Sequence, residues 1–168
     1  EVITRVKTLR TFLGNMAGPW TGWLLLRSLE TLKVRMEQQA RNAEVIANYL
    51  NNHPKVEKVY YLGLLKPEDE QYEIYKRQYS SPGAMVSFDI KGGEKEAFRF
   101  LNHLKLIKLA VSLGSTESLA EHPASMTHAG VELEHREAMN ITDKLIRLSI
   151  GVENVYDLEN VIGEALNY

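Results

Sequence analysis

The segment "KLIRLSIG", residues 144–151, sets a guanidinium inside an apolar alternation. Read as a strand, it sends Ile146, Leu148 and Ile150 to one face and Leu145, Arg147 and Ser149 to the other. An arginine among aliphatic neighbours needs a partner for its planar fork. Either a neighbouring carboxylate in an ion pair or the carboxylate of a bound molecule would suit it. A second suggestive stretch is "SLGSTESLAEHPASMTHAG", residues 112–130, rich in hydroxyl groups and histidine between two segments that read as strands. Ordering so polar a loop costs backbone entropy and buries little apolar surface, which points to a functional role. His122 and His128 lie within it, but Glu117, Glu121, Glu132 and Glu134 around them show no ligand spacing. Loop histidines bonded to local groups are the simpler reading than a metal site. Ser112 lacks the G-x-S-x-G context of a nucleophile elbow. Gly92-Gly93 makes a turn and helix start rather than a phosphate cradle. Met16, Trp20 and Trp23 read as core or interface rather than as a stacking platform.

These groups need a scaffold. Leu25, Leu29, Leu32, Met36, Ala40, Ala43, Ala47 and Leu50 recur at steps of three and four, which predicts one helix of about 30 residues over 20–52. Gly18-Pro19 starts it and Asn51-Asn52-His53-Pro54 stops it. Beyond it the pattern predicts strands at 55–63, 84–90, 107–112 and 144–151. Helices are predicted at 68–78, 92–104 and 154–167. The expected fold is α+β: a long N-terminal helix, then a small, mostly antiparallel four-stranded sheet covered by helices. Residues 1–52 form the inter-domain segment with the long helix, and 53–168 the small domain proper.

Composition narrows the function classes. The chain of 168 residues carries a net charge of −2, so it lacks the basic footprint of a nucleic-acid or anionic-membrane binder. It contains no cysteine, which removes disulfides and thiolate metal sites and fits a cytoplasmic protein. No apolar run approaches the roughly 20 residues that span a bilayer. The first residue is not methionine, consistent with a piece of a longer protein.

Several motifs occur in a recognisable order. "AVSLGSTESLAEHPASMTHAGV" and "GVELEHREAMNITDKLIRLSIGVENVYDL" follow "LLLRSLETLKVRMEQQARNAEVIANYLNNHPKVEKVYYLGL". Together they resemble the C-terminal domain of the Cys/Met-metabolism (trans-sulfuration) family of pyridoxal-phosphate enzymes. The wording is most similar to that of its methionine γ-lyases. The likeness covers nearly the whole chain. Ser28 departs from the usual Gly, and Leu62 stands where the family usually has Pro.

The resemblance implies the C-terminal domain of a fold-type I enzyme whose cofactor is pyridoxal 5′-phosphate. It implies that the cofactor-bearing lysine, the aspartate facing the pyridine nitrogen and the stacking tyrosine lie upstream of Glu1, so that this chain alone is inactive. It places the substrate α-carboxylate on Arg147 and Ser112 beside that carboxylate, with Leu113 and Gly114 continuing the turn. Replacing Arg147 by Ala should then raise KM sharply. Val111 stands where cystathionine-processing members commonly carry Glu, so it implies a pocket for an apolar thioether rather than a distal ammonium. The implied activity is α,γ-elimination of L-methionine. Cystathionine γ-lyase, cystathionine γ-synthase and O-acetylhomoserine sulfhydrylase are the alternatives within the family, and a non-catalytic assembly domain is the alternative outside it. A sulfur-containing amino acid and further copies of the chain, in a tetramer built as a dimer of dimers, are the implied partners.

Overall fold

The structure is a computed structural model that describes all residues from Glu1 to Tyr168. The chain divides into two compact units, Glu1–Val34 and Arg35–Tyr168.

In the first unit, α1 (Val2–Leu13) closes at Gly14, whose φ of 69° lets its N–H bond back to the Arg10 carbonyl at 2.9 Å. That left-handed cap is the conformation glycine adopts without a Cβ penalty. Helix α2 (Pro19–Leu29) opens on a proline, whose missing N–H costs nothing at a first turn. Neither helix buries a residue. Met16, Trp20 and Trp23 are exposed, with the two indoles edge to face at 5.9 Å. The predicted 30-residue helix is interrupted at Glu30–Thr31, and α3 (Leu32–Asn51) continues from there. Helix α1, whose short sequence carries no strong apolar period, was not anticipated.

The second unit is α+β, as the sequence predicted, but its sheet has five strands rather than four. They are β1 (Val56–Tyr60), β2 (Met85–Ile90), β3 (Lys108–Leu109), β4 (Leu119–Glu121) and β5 (Leu145–Ser149), in the order β1-β2-β5-β4-β3. All pairings are antiparallel except β3 with β4. The extra strand, β4, lies inside the polar loop that the sequence reading left without regular structure. The remaining helices are α4 (Tyr72–Gln78), α5 (Glu94–His103), α6 (Leu133–Ala138) and α7 (Val155–Asn167).

Alternation sorts the strands into two faces. Val59, Val86, Phe88, Ile146 and Leu148 join Ala43, Ile46, Ala47 and Leu50 of α3, Ala97, Phe100 and Leu101 of α5, and Leu158, Ile162 and Leu166 of α7 in one core. Phe88 meets Phe100 edge to face at 5.5 Å, a favoured quadrupole arrangement. Side chains cap α5 and α7. Glu96 accepts the Gly93 N–H at 2.9 Å, a bond that holds its carboxyl below the usual range. Asn154 accepts the Tyr156 N–H at 2.9 Å. In α3 the buried face also carries polar residues, Gln39 and Asn42.

Candidate functional site

The second face of the sheet is polar. Register places Tyr60, Ser87, Arg147 and Glu121 in one row across β1, β2, β5 and β4. Arg147 is thus the strand-borne cation that the alternation predicted, and its surroundings are specific. Its Nη1 lies 2.8 Å from the Glu121 carboxylate; the two side chains are 20% and 1% exposed. Its Nη2 donates to the carbonyls of Ser112 at 3.1 Å and Val111 at 3.4 Å. Its Nε is buried and has no protein partner. The structure therefore brings Arg147, Val111 and Ser112 together. Leu113 follows in the same turn, and Val111 and Leu113 are 55% and 56% exposed.

Why does a polar loop hold one shape here? It is latched from three directions. Gly114, at φ 76°, donates its N–H to Ser149 Oγ on β5 at 2.9 Å. Gln39 of α3 donates to the Ser115 carbonyl at 2.6 Å. Glu153 accepts both the Ser118 N–H and the Ser118 hydroxyl, and that hydroxyl oxygen accepts the Gly151 N–H at 2.8 Å. Asn42 completes the lattice by donating to the carbonyls of Gly151 and Glu153 at 3.0 and 2.8 Å. A Cβ at Gly151 would overlap the Thr116 carbonyl and the Glu117 backbone, so glycine is required by the close approach of loop and strand end. Buried polar groups tied to named atoms rigidify what apolar packing does not.

The histidines serve the same scaffold. His122 is buried, with Nδ1 2.8 Å from Ser125 Oγ, Nε2 2.8 Å from the Asp143 carbonyl and Phe98 against its ring at 4.9 Å. His128 shares a hydrogen bond with Thr127. No group of three or more His, Cys, Asp or Glu side chains is placed to hold a metal ion.

Sequence reasoning missed Glu121, Gln39 and Asn42. Glu121 was one glutamate among many; only the sheet register reveals that it stands opposite Arg147. The one available signal was the alternation "LAE" in line with "RLS". A cleft of about 730 Å³ lies elsewhere, along β1 and residues 79–85, and is lined by Tyr60, Tyr61, Leu64, Tyr79, Pro82 and Met85. None of the sequence-predicted site residues borders it.

Fold and site together define an α+β domain that presents a strand-borne, carboxylate-backed arginine beside an ordered, partly apolar loop. Residues 1–167 match the family model of the Cys/Met metabolism PLP-dependent enzymes, and the chain belongs to that family. It is 50% identical over 150 residues to an L-methionine gamma-lyase of Fusobacterium nucleatum subsp. nucleatum, covering 89% of this chain and 38% of the relative. It is 46% identical over 167 residues to a cystathionine gamma-lyase of Dictyostelium discoideum, covering 99% and 43%. The crystal structure of cystathione gamma lyase (CalE6) from Micromonospora echinospora superposes with a TM-score of 0.89 at 41% identity, over 97% of this chain and 42% of that one. The chain thus spans about two fifths of the length of the relatives it matches.

The family implies pyridoxal phosphate. The buried, unpartnered Nε of Arg147 suits a carboxylate. Every lysine is exposed except half-buried Lys144, whose ammonium is bonded to Glu57 at 2.6 Å. No helix is long and apolar enough to cross a membrane.

Proposed function

We propose that this chain is the C-terminal part of a pyridoxal-phosphate-dependent sulfur amino acid lyase acting on L-methionine, with methanethiol, 2-oxobutanoate and ammonia as products. The observation that carries the reading is Arg147, fixed at Glu121 and at the carbonyls of residues 111 and 112, with a buried donor still unused. Pyridoxal phosphate, when bound, supplies the sink for the electrons left as the substrate's Cα–H bond breaks. The work of this chain is orientation. A guanidinium held at two points grips the α-carboxylate and so sets the torsion that aligns the breaking bond. Ser112 stands beside that grip, and Leu113 with Val111 forms an apolar wall for the thioether.

The cofactor-bearing lysine belongs, in this reading, to the preceding part of the protein, and the 168-residue chain by itself is inactive. Pyridoxal phosphate added to the isolated chain should give no stable yellow complex. Residues 1–52 join that larger domain to the small domain at 53–168. In this reading the complete enzyme is a cytoplasmic homotetramer, a dimer of dimers; the exposed apolar residues of α1 and α2, among them Phe12, Leu13 and Leu26, support burial of that segment against further protein surface.

Arg147→Ala is the blunt test but strips a buried glutamate of its counter-ion, a change that destabilises by about 3–5 kcal/mol in itself. Arg147→Lys in the complete enzyme keeps the charge and removes the fork. KM for methionine should rise at least about tenfold; an unchanged KM overturns the assignment. Cystathionine is the second substrate to consider, because cystathionine gamma-lyases are among the relatives. Val111 decides between them. The methionine reading requires methionine to be turned over with higher kcat/KM than cystathionine, and Val111→Glu to move the ranking toward cystathionine.

A further inference from the structure

We infer that Glu121 is a positioning residue of the carboxylate site: it acts through Arg147 and does not touch substrate. The inference rests on the reading of Arg147 given above and deepens it.

A glutamate beside a carboxylate-binding arginine is at first sight counterproductive, since it lowers the positive potential that attracts the substrate. Its geometry explains its presence. Glu121 is 1% exposed on β4, directly across from Arg147 on β5. One carboxylate oxygen takes Nη1 at 2.8 Å and accepts the Thr127 hydroxyl at 3.3 Å; the other oxygen is buried without a partner. The contact is therefore to one nitrogen, not fork to fork. It leaves Nε free of protein partners. Nη2 is meanwhile tethered by the carbonyls of Val111 and Ser112. Held at both terminal nitrogens, the guanidinium plane cannot swing, and a donor remains for an incoming acid. Without Glu121 the tether at Nη2 would remain as a pivot.

Orientation and charge predict opposite outcomes. If charge dominated, removing the carboxylate would tighten binding of the substrate acid. If orientation dominates, Glu121→Ala loosens it, and Glu121→Gln restores it because an amide oxygen accepts the same Nη1–H.

The test is kinetic, in the complete enzyme loaded with cofactor. It compares the sulfur amino acid turned over fastest with its carboxamide, since only the acid uses the guanidinium in full. The parent should prefer the acid strongly. Glu121→Ala should lower kcat/KM for the acid at least about tenfold and erode the preference over the amide, while Glu121→Gln stays within about threefold of the parent. Glu121→Asp, whose carboxylate falls one methylene short, should lie between and serves if the alanine variant does not fold. A purely structural role would lower both substrates alike and leave the preference intact, overturning the inference. A stronger preference for the acid in Glu121→Ala or Glu121→Gln would also overturn it. Arg147→Lys is the reference: if it too keeps the preference, the Arg147 reading itself fails; if it loses the preference while the Glu121 variants keep theirs, only the present inference fails.

Discussion

The two faces of one sheet solve different problems with the same strands. On the helix-covered face, Val86, Phe88, Ile146 and Leu148 pack against α3, α5 and α7, and every member is apolar. On the other, Arg147, Glu121 and Ser149 are bonded to named atoms in a loop and a neighbouring strand. Apolar packing is non-directional and tolerates exchange of similar shapes. A hydrogen-bonded lattice specifies positions to within tenths of an ångström, and losing one member strands its partners. Damage to the first face should therefore show as instability, and damage to the second as misplacement.

The largest expected effect lies on the apolar face. Phe88→Ala removes a fully buried ring and its edge-to-face partner Phe100, which should cost about 3–5 kcal/mol. Unfolding of the complete enzyme in urea would measure it. Protein that remains folded should keep a nearly normal KM. A loss confined to kinetics would break the division between the faces.

Next is Asn42→Leu, which crosses that division. The side chain lies on the mostly apolar buried face of α3, but its amide serves the carbonyls of Gly151 and Glu153. Leucine fits the volume and abandons one buried and one partly buried acceptor, for a loss of about 1–3 kcal/mol. Because those carbonyls adjoin the turn that carries Ser118, KM should rise as well, and both readouts should move together.

Ser149→Ala removes only the acceptor of the Gly114 N–H, 2.9 Å away. The expected cost is about 0.5–1.5 kcal/mol, smaller than the others. The turn Leu113–Gly114 would lose its tie to β5, so a few-fold rise in KM should accompany a barely lowered melting temperature. A variant with unchanged KM would show that the remaining latches at Ser115 and Ser118 suffice.

The sequence was legible where one residue's neighbours decide its environment. Ile146, Leu148 and Ile150 announced a face by period alone, as did Ala43, Ala47 and Leu50 in α3. The arginine at 147 was visible as an exception to that period. Its companions were not, because each depends on contacts far along the chain. Gln39 meets a carbonyl 76 residues away, and Asn42 meets one 109 residues away. Strand β4 hid for a related reason: three residues whose burial comes from pairing with β5 carry too little pattern to stand out. Polar residues are buried when partners exist for them, and partners are a property of the fold. Family resemblance supplied roles for Arg147 and Ser112; it did not supply Glu121, which came from register.

The smallest effect lies away from both faces and calibrates them. His53, in the turn between α3 and β1, accepts the Lys55 N–H through Nδ1 at 3.2 Å. Partial burial, and then the nearby Lys55 ammonium, hold its pKa below the usual histidine value. The sign follows from linkage. As pH falls through about 6.5, the unfolded ring takes up a proton before the folded one does, so the unfolded state binds more protons and stability drops. Above that range the contribution is fully present. Solvent reaches the ring, so the effect should be slight. His53→Gln should flatten the slope of melting temperature against pH below about 6.5 without altering KM. A steeper slope in the variant would mean that the ring is charged in the folded protein, which the bond it accepts from Lys55 forbids.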